Sequence, residues 1–267
     1  MIREISPGFL WIQECGPNRE EFAARWGASA SDWYHAGREV HIPQNAWLFR
    51  GEKTLLFDTL SPAAGDHVVD LVRTALGGRP LDYLVVSHPD VPHAGNTMKL
   101  LRAHPAATLV APAIGSTHEL YHLEDALKVA PGDTLDLGGF RVRFHEATFL
   151  DAAMSHWMTE ETTRTLLPVD WLGFPHMDGE CLKRVEEIDS PITVSRLTEF
   201  HGRVMFWFQY VDVDRVNAEI DRLMREFGDY QIAPSHGLVV TRGAREYMAR
   251  MKEVVRWVSE NGRLGVL

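Results

Sequence analysis

Several features common in functional proteins are scarce here. Only two cysteines occur in 267 residues, Cys15 and Cys181, far apart in the chain. They give no disulfide framework and no Cys-x-x-Cys metal or redox motif. Basic runs are missing: 27 Lys and Arg stand against 37 Asp and Glu, a formal net charge of −10. Nothing is built to neutralise phosphates, which argues against nucleic acid as a partner. No apolar stretch approaches the roughly 20 residues that span a bilayer, and Met1-Ile2-Arg3-Glu4 opens no basic-then-apolar signal segment. No membrane association and a cytoplasmic location are expected. Repeats and low-complexity linkers are also absent, so residues 1–267 read as a single domain. With 45% hydrophobic and 24% charged residues the composition is that of a globular protein, not of a disordered or fibrous one.

Histidine, by contrast, is plentiful. There are 13, and several sit where apolar strands end. The runs Ala46–Phe49 and Thr54–Phe57, separated by Gly51-Glu52-Lys53, predict a hairpin. Val68, Val69, Val72 and Leu76 recur at helical spacing, closed by Gly77-Gly78. A buried strand over 81–86, a helix within 95–103 and a strand over 108–111 make a strand–loop–helix–strand unit. Strands follow at 134–137 and 140–147, then a hairpin of 155–160 with 163–169. Amphipathic helices are expected around Val213–Phe227, with Asp212 or Asp214 as N-cap, and around Tyr247–Val258. A short strand, 230–233, lies between them. The pattern suggests stacked sheets covered by helices, an α/β sandwich.

The strongest local signal is Ser87-His88-Pro89-Asp90-Val91-Pro92-His93-Ala94-Gly95-Asn96. A loop leaving a buried strand carries His, Asp and His within six residues. Such groups crowded into one turn are costly unless protonated, hydrogen-bonded or metal-bound. A lone histidine there would read as an exposed turn residue, but similar positions recur. Asp151 follows Ala147–Leu150, Asp170 follows Leu166–Val169, and His236 follows Ile232–Ser235. Polar groups at one end of several buried strands can build a site on a rigid scaffold. Trp157, Trp171, Phe174, Phe206, Trp207, Phe208 and Tyr210 could wall a small apolar pocket, or serve as core or dimer contact. His176 and His201 read as surface or supporting groups. No role is assigned to His104, His118 and His122.

Asn45–Leu48, Leu56-Phe57-Asp58, the His88 loop, Asp170 and Ala233–Gly237 occur in the order of the metallo-β-lactamase superfamily, and the chain resembles the metal domain of flavodiiron proteins and of stand-alone oxygen-binding di-iron proteins. Phe144–Asp151 resembles that family's strand into its third metal ligand, and Tyr210–His236 its late helix and last ligand loop. The resemblance covers about residues 40–260 and implies an αββα four-layer fold. No flavin is expected, the chain ending where a flavodoxin domain would start, and no rubredoxin domain is expected either. The family loop reads His-x-Glu-x-Asp-His. Here Asp90 replaces the glutamate, and Pro92 stands where the aspartate would be. The third ligand, a histidine in the family, falls on Asp151, nineteen residues before Asp170 as the family spacing requires. His156 is the alternative, at fourteen.

Carried over, the first pocket would hold His88, Asp90, Asp151 and Asp170, and the second His93, His236 and a bridging Asp170. Oxygen-rich donors and a two-His-one-carboxylate set point to iron, one or two ions, with manganese or zinc as alternatives. The implied function is a non-haem iron protein that binds or activates O2 or NO, or oxygenates a small organic substrate. It would be an oxidoreductase supplied by a separate electron donor, and a homodimer is plausible on the resemblance. The runner-up is a metal-dependent hydrolase, in which the metal lowers the pKa of bound water. That reading needs the aspartate that Pro92 replaces. A third reading is a scaffold that has lost its metal.

Overall fold

The computed structural model describes residues 1–14, 40–62, 65–113 and 126–264. A seven-stranded sheet is ordered β1 (Ile2–Ser6), β2 (Phe9–Glu14), β4 (Gln44–Arg50), β5 (Thr54–Phe57), β6 (Tyr83–Val85), β7 (Thr108–Pro112) and β8 (Leu127–Val129). It is antiparallel from β1 to β5 and parallel from β5 to β8. β3 (Val40–His41) pairs with β13 (His176–Met177). A five-stranded sheet runs β14 (Gln231–Ile232), β12 (Thr165–Leu167), β11 (His156–Glu160), β10 (Arg141–Glu146), β9 (Thr134–Asp136).

Both faces of the first sheet are buried, so its strands are almost continuously apolar. Along β2, Phe9 and Trp11 enter one core while Leu10 and Ile12 enter another; along β4, Trp47 and Phe49 oppose Ala46 and Leu48 in the same way. The outer core is closed by α1 (Gly65–Leu76), through Val68, Val69, Val72 and Leu76, and by Leu100 of α3 (Thr97–Ala103). The inner core joins Phe9, Trp47, Phe49 and Phe57 to Val142, Phe144, Trp157 and Leu166 of the second sheet. Packed with that core are α4 (Val194–Val204), α5 (Val213–Phe227) and α6 (Ala244–Asn261), which contribute Leu197, Ile220, Leu223, Met251 and Val255. The expected helix–sheet–sheet–helix order is what the chain forms. Asp212 is the N-cap of α5, its side chain accepting from the amides of Asp214 and Arg215.

Two expectations change. The spacing of the two cysteines gave no disulfide framework, yet Cys181 is disulfide-bonded and not a free thiol; Cys15, like His118 and His122, lies outside the described residues. Of the two roles left open for His176 and His201, burial removes the surface one, since both are fully buried.

Candidate metal centre

Each proposed donor stands in a loop fed by one of these strands. β6 runs into Ser87-His88 and the one-turn helix α2 (Val91–Ala94), which carries His93. β10 and β11 are joined by the loop holding Asp151. β12 runs into Asp170, and β14 into the loop that ends at His236. Backbone hydrogen bonds tie these loops together: Thr59 N–H donates to the His93 carbonyl at 2.8 Å, His156 N–H to Ser87 at 3.1 Å, and Ser235 N–H to Val169 at 2.8 Å. Strain is concentrated here too. Of seven non-glycine residues with positive φ among the described residues, three lie in these loops, Met154, Val169 and Leu172, and two more, Asp58 and Leu60, lie in the turn after β5 that Thr59 ties to His93. Each costs on the order of 1–3 kcal/mol and persists only where the surroundings impose it.

Three imidazoles converge on one carboxylate. Asp170 Oδ1 lies 3.3 Å from His93 Nε2 and 3.2 Å from His236 Nε2, while its Oδ2 lies 3.6 Å from His88 Nε2. Asp151 Oδ1 stands 3.6 Å from the same His88 nitrogen. Donor atoms of His88, Asp90 and Asp151 lie within 4.8 Å of one another, as do those of His88, His93 and Asp170. The two oxygens of Asp170 thus face different imidazoles, Oδ1 those of His93 and His236 and Oδ2 that of His88.

The other nitrogen of each ring is held. His93 Nδ1–H donates to Asp58 Oδ2 at 2.7 Å, and His236 Nδ1–H to the Pro43 carbonyl at 2.7 Å. Ser87 Oγ donates to Asp58 at 3.1 Å, which leaves its lone pairs for His88 Nδ1–H at 3.2 Å. With Nδ1 as donor, Nε2 of a neutral ring carries a lone pair, and all three lone pairs are turned towards carboxylate oxygens. Lone pair facing lone pair is repulsive unless a cation or proton lies between. Consistently, His88 Nε2, His93 Nε2 and Asp151 Oδ1 are buried without any hydrogen-bond partner, a deficit of about 1–3 kcal/mol for each such group.

The titration of the cluster tells the same story. Burial, then the charge of His93, push His88 down to about 4. Burial also lowers His93, but Asp170 and Asp58 outweigh it and hold the ring well above its ordinary value. For Asp151, burial and the facing Asp170 raise the carboxyl to about 8. Burial would raise Asp170 too, yet His93, His236 and His88 hold it well below the usual carboxylate range. Without a metal, these shifts favour the protonated forms of His93 and Asp151. The donor set fits a divalent cation, which would supply that positive charge.

His156, the alternative to Asp151, joins neither donor group. Its ring lies between Phe144 and Phe57, at centroid distances of 5.4 and 6.4 Å. The aromatic alternatives divide as well. Trp157, Trp171, Phe174 and Phe208 are fully buried core, whereas Phe206 and Tyr210 are exposed. Trp207 is half-buried and donates its Nε1–H to the Leu150 carbonyl at 2.8 Å, next to Asp151.

Three residues that the spacing argument passed over support the site. Asp58, fully buried, accepts from the Ser87 amide at 2.9 Å and from Ser87 Oγ, His93 Nδ1 and Ser235 Oγ. One carboxylate thereby joins β5, the His88 loop and the His236 loop. Asn45 donates to the Pro234 and Gly237 carbonyls at 2.8 and 3.0 Å and fixes the loop of His236. Asn96 caps the turn after β5 through the carbonyls of Thr59, Leu60 and Ser61. Beyond its place in the Leu56-Phe57-Asp58 segment that carries the resemblance, Asp58 had a physical signal: a carboxylate directly after the apolar run of Thr54–Phe57 has to be satisfied internally.

A metallo-beta-lactamase superfamily model matches residues 41–177. The chain belongs to that superfamily. Among curated proteins it is similar to rubredoxin-oxygen oxidoreductase of Megalodesulfovibrio gigas, 29% identical over 227 residues, which are 81% of this chain and 53% of that protein. It is also similar to flavo-diiron protein FprA2 of Clostridium acetobutylicum, 26% identical over 214 residues, or 76% and 51% of the two chains. Among solved structures it superposes on rubredoxin oxygen:oxidoreductase of Desulfovibrio gigas with a TM-score of 0.73 at 21% identity, covering 97% of this chain and 61% of that one. The chain therefore spans about half the length of the two curated relatives named, and the likeness to the flavodiiron metal domain expected from the sequence is confirmed in sequence and in fold. Among the described residues no helix is long and apolar enough to cross a membrane.

Proposed function

We propose that this superfamily member is a non-haem iron protein, with up to two ions at the Asp170 cluster, that binds or reduces O2 or NO. The observation that carries the reading is the divided Asp170 carboxylate facing three imidazoles whose other nitrogens are already engaged. The names of the relatives support it, since they include a rubredoxin-oxygen oxidoreductase and an anaerobic nitric oxide reductase flavorubredoxin. His88, Asp90, Asp151 and Asp170 would hold the first ion, and His93, His236 and Asp170 the second. Bound iron(II) would supply the electrons and an open coordination position for a diatomic ligand.

The chain's own residues orient and exclude. Asp58 and the Pro43 carbonyl fix two imidazoles in one tautomer, and Trp157, Trp171 and Phe174 are fully buried in the surrounding core. Electrons would come from a separate donor protein, and a homodimer in the cytoplasm is consistent with the reading. The hydrolase alternative gains nothing here, because Pro92 offers no carboxylate beside His93. The test is metal analysis of protein purified without added metal, followed by O2 and NO consumption by the reduced protein. Iron near one to two equivalents with consumption supports the proposal. Zinc alone favours the hydrolase, and no metal after iron reconstitution favours a scaffold.

A further inference from the structure

The chain leaves β12 through Asp170 in a tight turn. Trp171 N–H donates to the Pro168 carbonyl at 3.1 Å, and Gly173 N–H to the Asp170 carbonyl at 3.0 Å. Two residues of this turn, Val169 and Leu172, have left-handed backbones, with φ of 57° and 67°. Side chains other than glycine's avoid that region, a β-branched one most of all. Such a turn persists only where its surroundings hold it. At Gly173 a Cβ would come within 2.7 Å of the Phe200 ring, so the turn lies directly against α4.

The hold comes from two helices. Leu172 is fully buried, and both of its polar backbone atoms are met by side chains. Its N–H donates to His201 Nε2 of α4 at 3.1 Å, and its carbonyl accepts from the Tyr247 hydroxyl of α6 at 2.8 Å. His201 suits the first task because its Nδ1–H donates to the Leu197 carbonyl at 2.8 Å, which leaves Nε2 as the acceptor. Both side chains are themselves buried. Further bonds tie the turn to the last donor loop: Ser235 N–H donates to the Val169 carbonyl at 2.8 Å, and Phe174 N–H to that of His236 at 3.2 Å.

We propose that His201 and Tyr247 are positioning residues for Asp170, a clamp that holds Leu172 left-handed and thereby aims the carboxylate at His88, His93 and His236. An imidazole acceptor and a phenol donor supply opposite polarities, as the N–H and the carbonyl of one residue require. Both act through the backbone, since these bonds go to Leu172 and Leu197 and not to a donor side chain. The lever is short: Leu172 is two residues from Asp170, whose carbonyl is bonded within the same turn. Asp170 Oδ1 stands 3.3 and 3.2 Å from two imidazole nitrogens, and a metal site needs its donors held to about 0.5 Å. The inference rests on the proposed role of Asp170 as a metal ligand.

The test uses the full chain with iron(II) and cobalt(II) as probes. Tyr247→Phe loses only a hydroxyl, His201→Leu loses the acceptor, and His201→Gln keeps one. In competition titrations the first two should bind either ion at least about tenfold more weakly, the usual effect of removing a group that orients a ligand. His201→Gln should restore most of that affinity. Cobalt d–d bands report coordination geometry, and they should shift in Tyr247→Phe and His201→Leu. Val258→Ala is the control, a truncation of a buried α6 side chain about 16 Å along the helix from Tyr247. It should lower stability and leave affinity and bands unchanged. Crystals of metal-free Tyr247→Phe and His201→Leu need no ion, and should show Asp170 Oδ1 moved away from His93 and His236. Unaltered affinity and bands in both variants, equal losses in Val258→Ala, or an unmoved Asp170 in the metal-free crystals would overturn the proposal. If the wild type binds neither ion while Asp170 still moves in the variants, the proposed function falls and the clamp stands.

Discussion

Asp151 and His156 pose the sharpest choice at the scale of single residues. The nineteen-residue spacing to Asp170 favoured Asp151, and the structure puts its Oδ1 3.6 Å from His88 Nε2 while His156 sits among aromatic rings. Replacing Asp151 with alanine should therefore lower iron content measured by mass spectrometry, and His156→Ala should leave it nearly unchanged. The reverse would shift the ligand register by five residues. His201 makes a different prediction. Its Nδ1–H donates to the Leu197 carbonyl at 2.8 Å and its Nε2 accepts from the Leu172 amide at 3.1 Å, so the ring is needed neutral. Burial pushes it down to about 4, below the ordinary 6.5. The unfolded chain thus binds the extra proton between those values. The stabilisation is fully present above about pH 6.5 and is lost as pH falls towards 4, a change of about 3 kcal/mol. His201→Gln should flatten the pH dependence of urea-unfolding stability in that window by this amount. An unaltered slope would show that His201 does not titrate there.

Elements were legible in proportion to how far their periodicity was local. The β4–β5 hairpin, α1 and α5 follow their apolar spacing closely because each presents one continuous face or a fully buried run. By contrast α4 was missed: its buried face includes His201 and Gly202 beside Leu197 and Phe200, and a histidine there becomes apolar-like only once Leu172 and Leu197 satisfy it. The β1–β2 hairpin was missed as well, since its pairing with β4 depends on a partner some thirty residues away. The loop between β10 and β11 shows how an element is held without a ladder. Phe149 packs against Trp171 and Phe208, and Trp207 donates to Leu150. In Trp207→Phe the packing largely remains but the hydrogen bond is lost. Stability should drop by about 1 kcal/mol, amide exchange across 147–155 should quicken, and iron at the Asp151 pocket should bind more weakly. Unchanged exchange would mean that the aromatic packing alone fixes the loop.

At the scale of the whole molecule, the donors come from both sheets. His88, Asp90 and His93 follow β6, whereas Asp151, Asp170 and His236 follow strands of the second sheet. Strand-end position made this convergence readable from sequence. The supporting carboxylate Asp58 was harder to see, because its role rests on side chains drawn from three separate loops. An ion bound there would join the two sheets, so it should stabilise the native state by about 2.7 kcal/mol at a hundredfold excess over Kd. The melting temperature should then rise with added iron(II), and Asp170→Ala should remove that rise. The most direct measurement is anomalous diffraction at the iron edge from crystals of the iron-loaded protein. Two peaks flanking Asp170 are predicted, one beside His88 and Asp151 and a weaker one beside His93 and His236, where Pro92 supplies no ligand. No peak within coordinating distance of Asp170, or a signal at the zinc edge alone, would contradict the account.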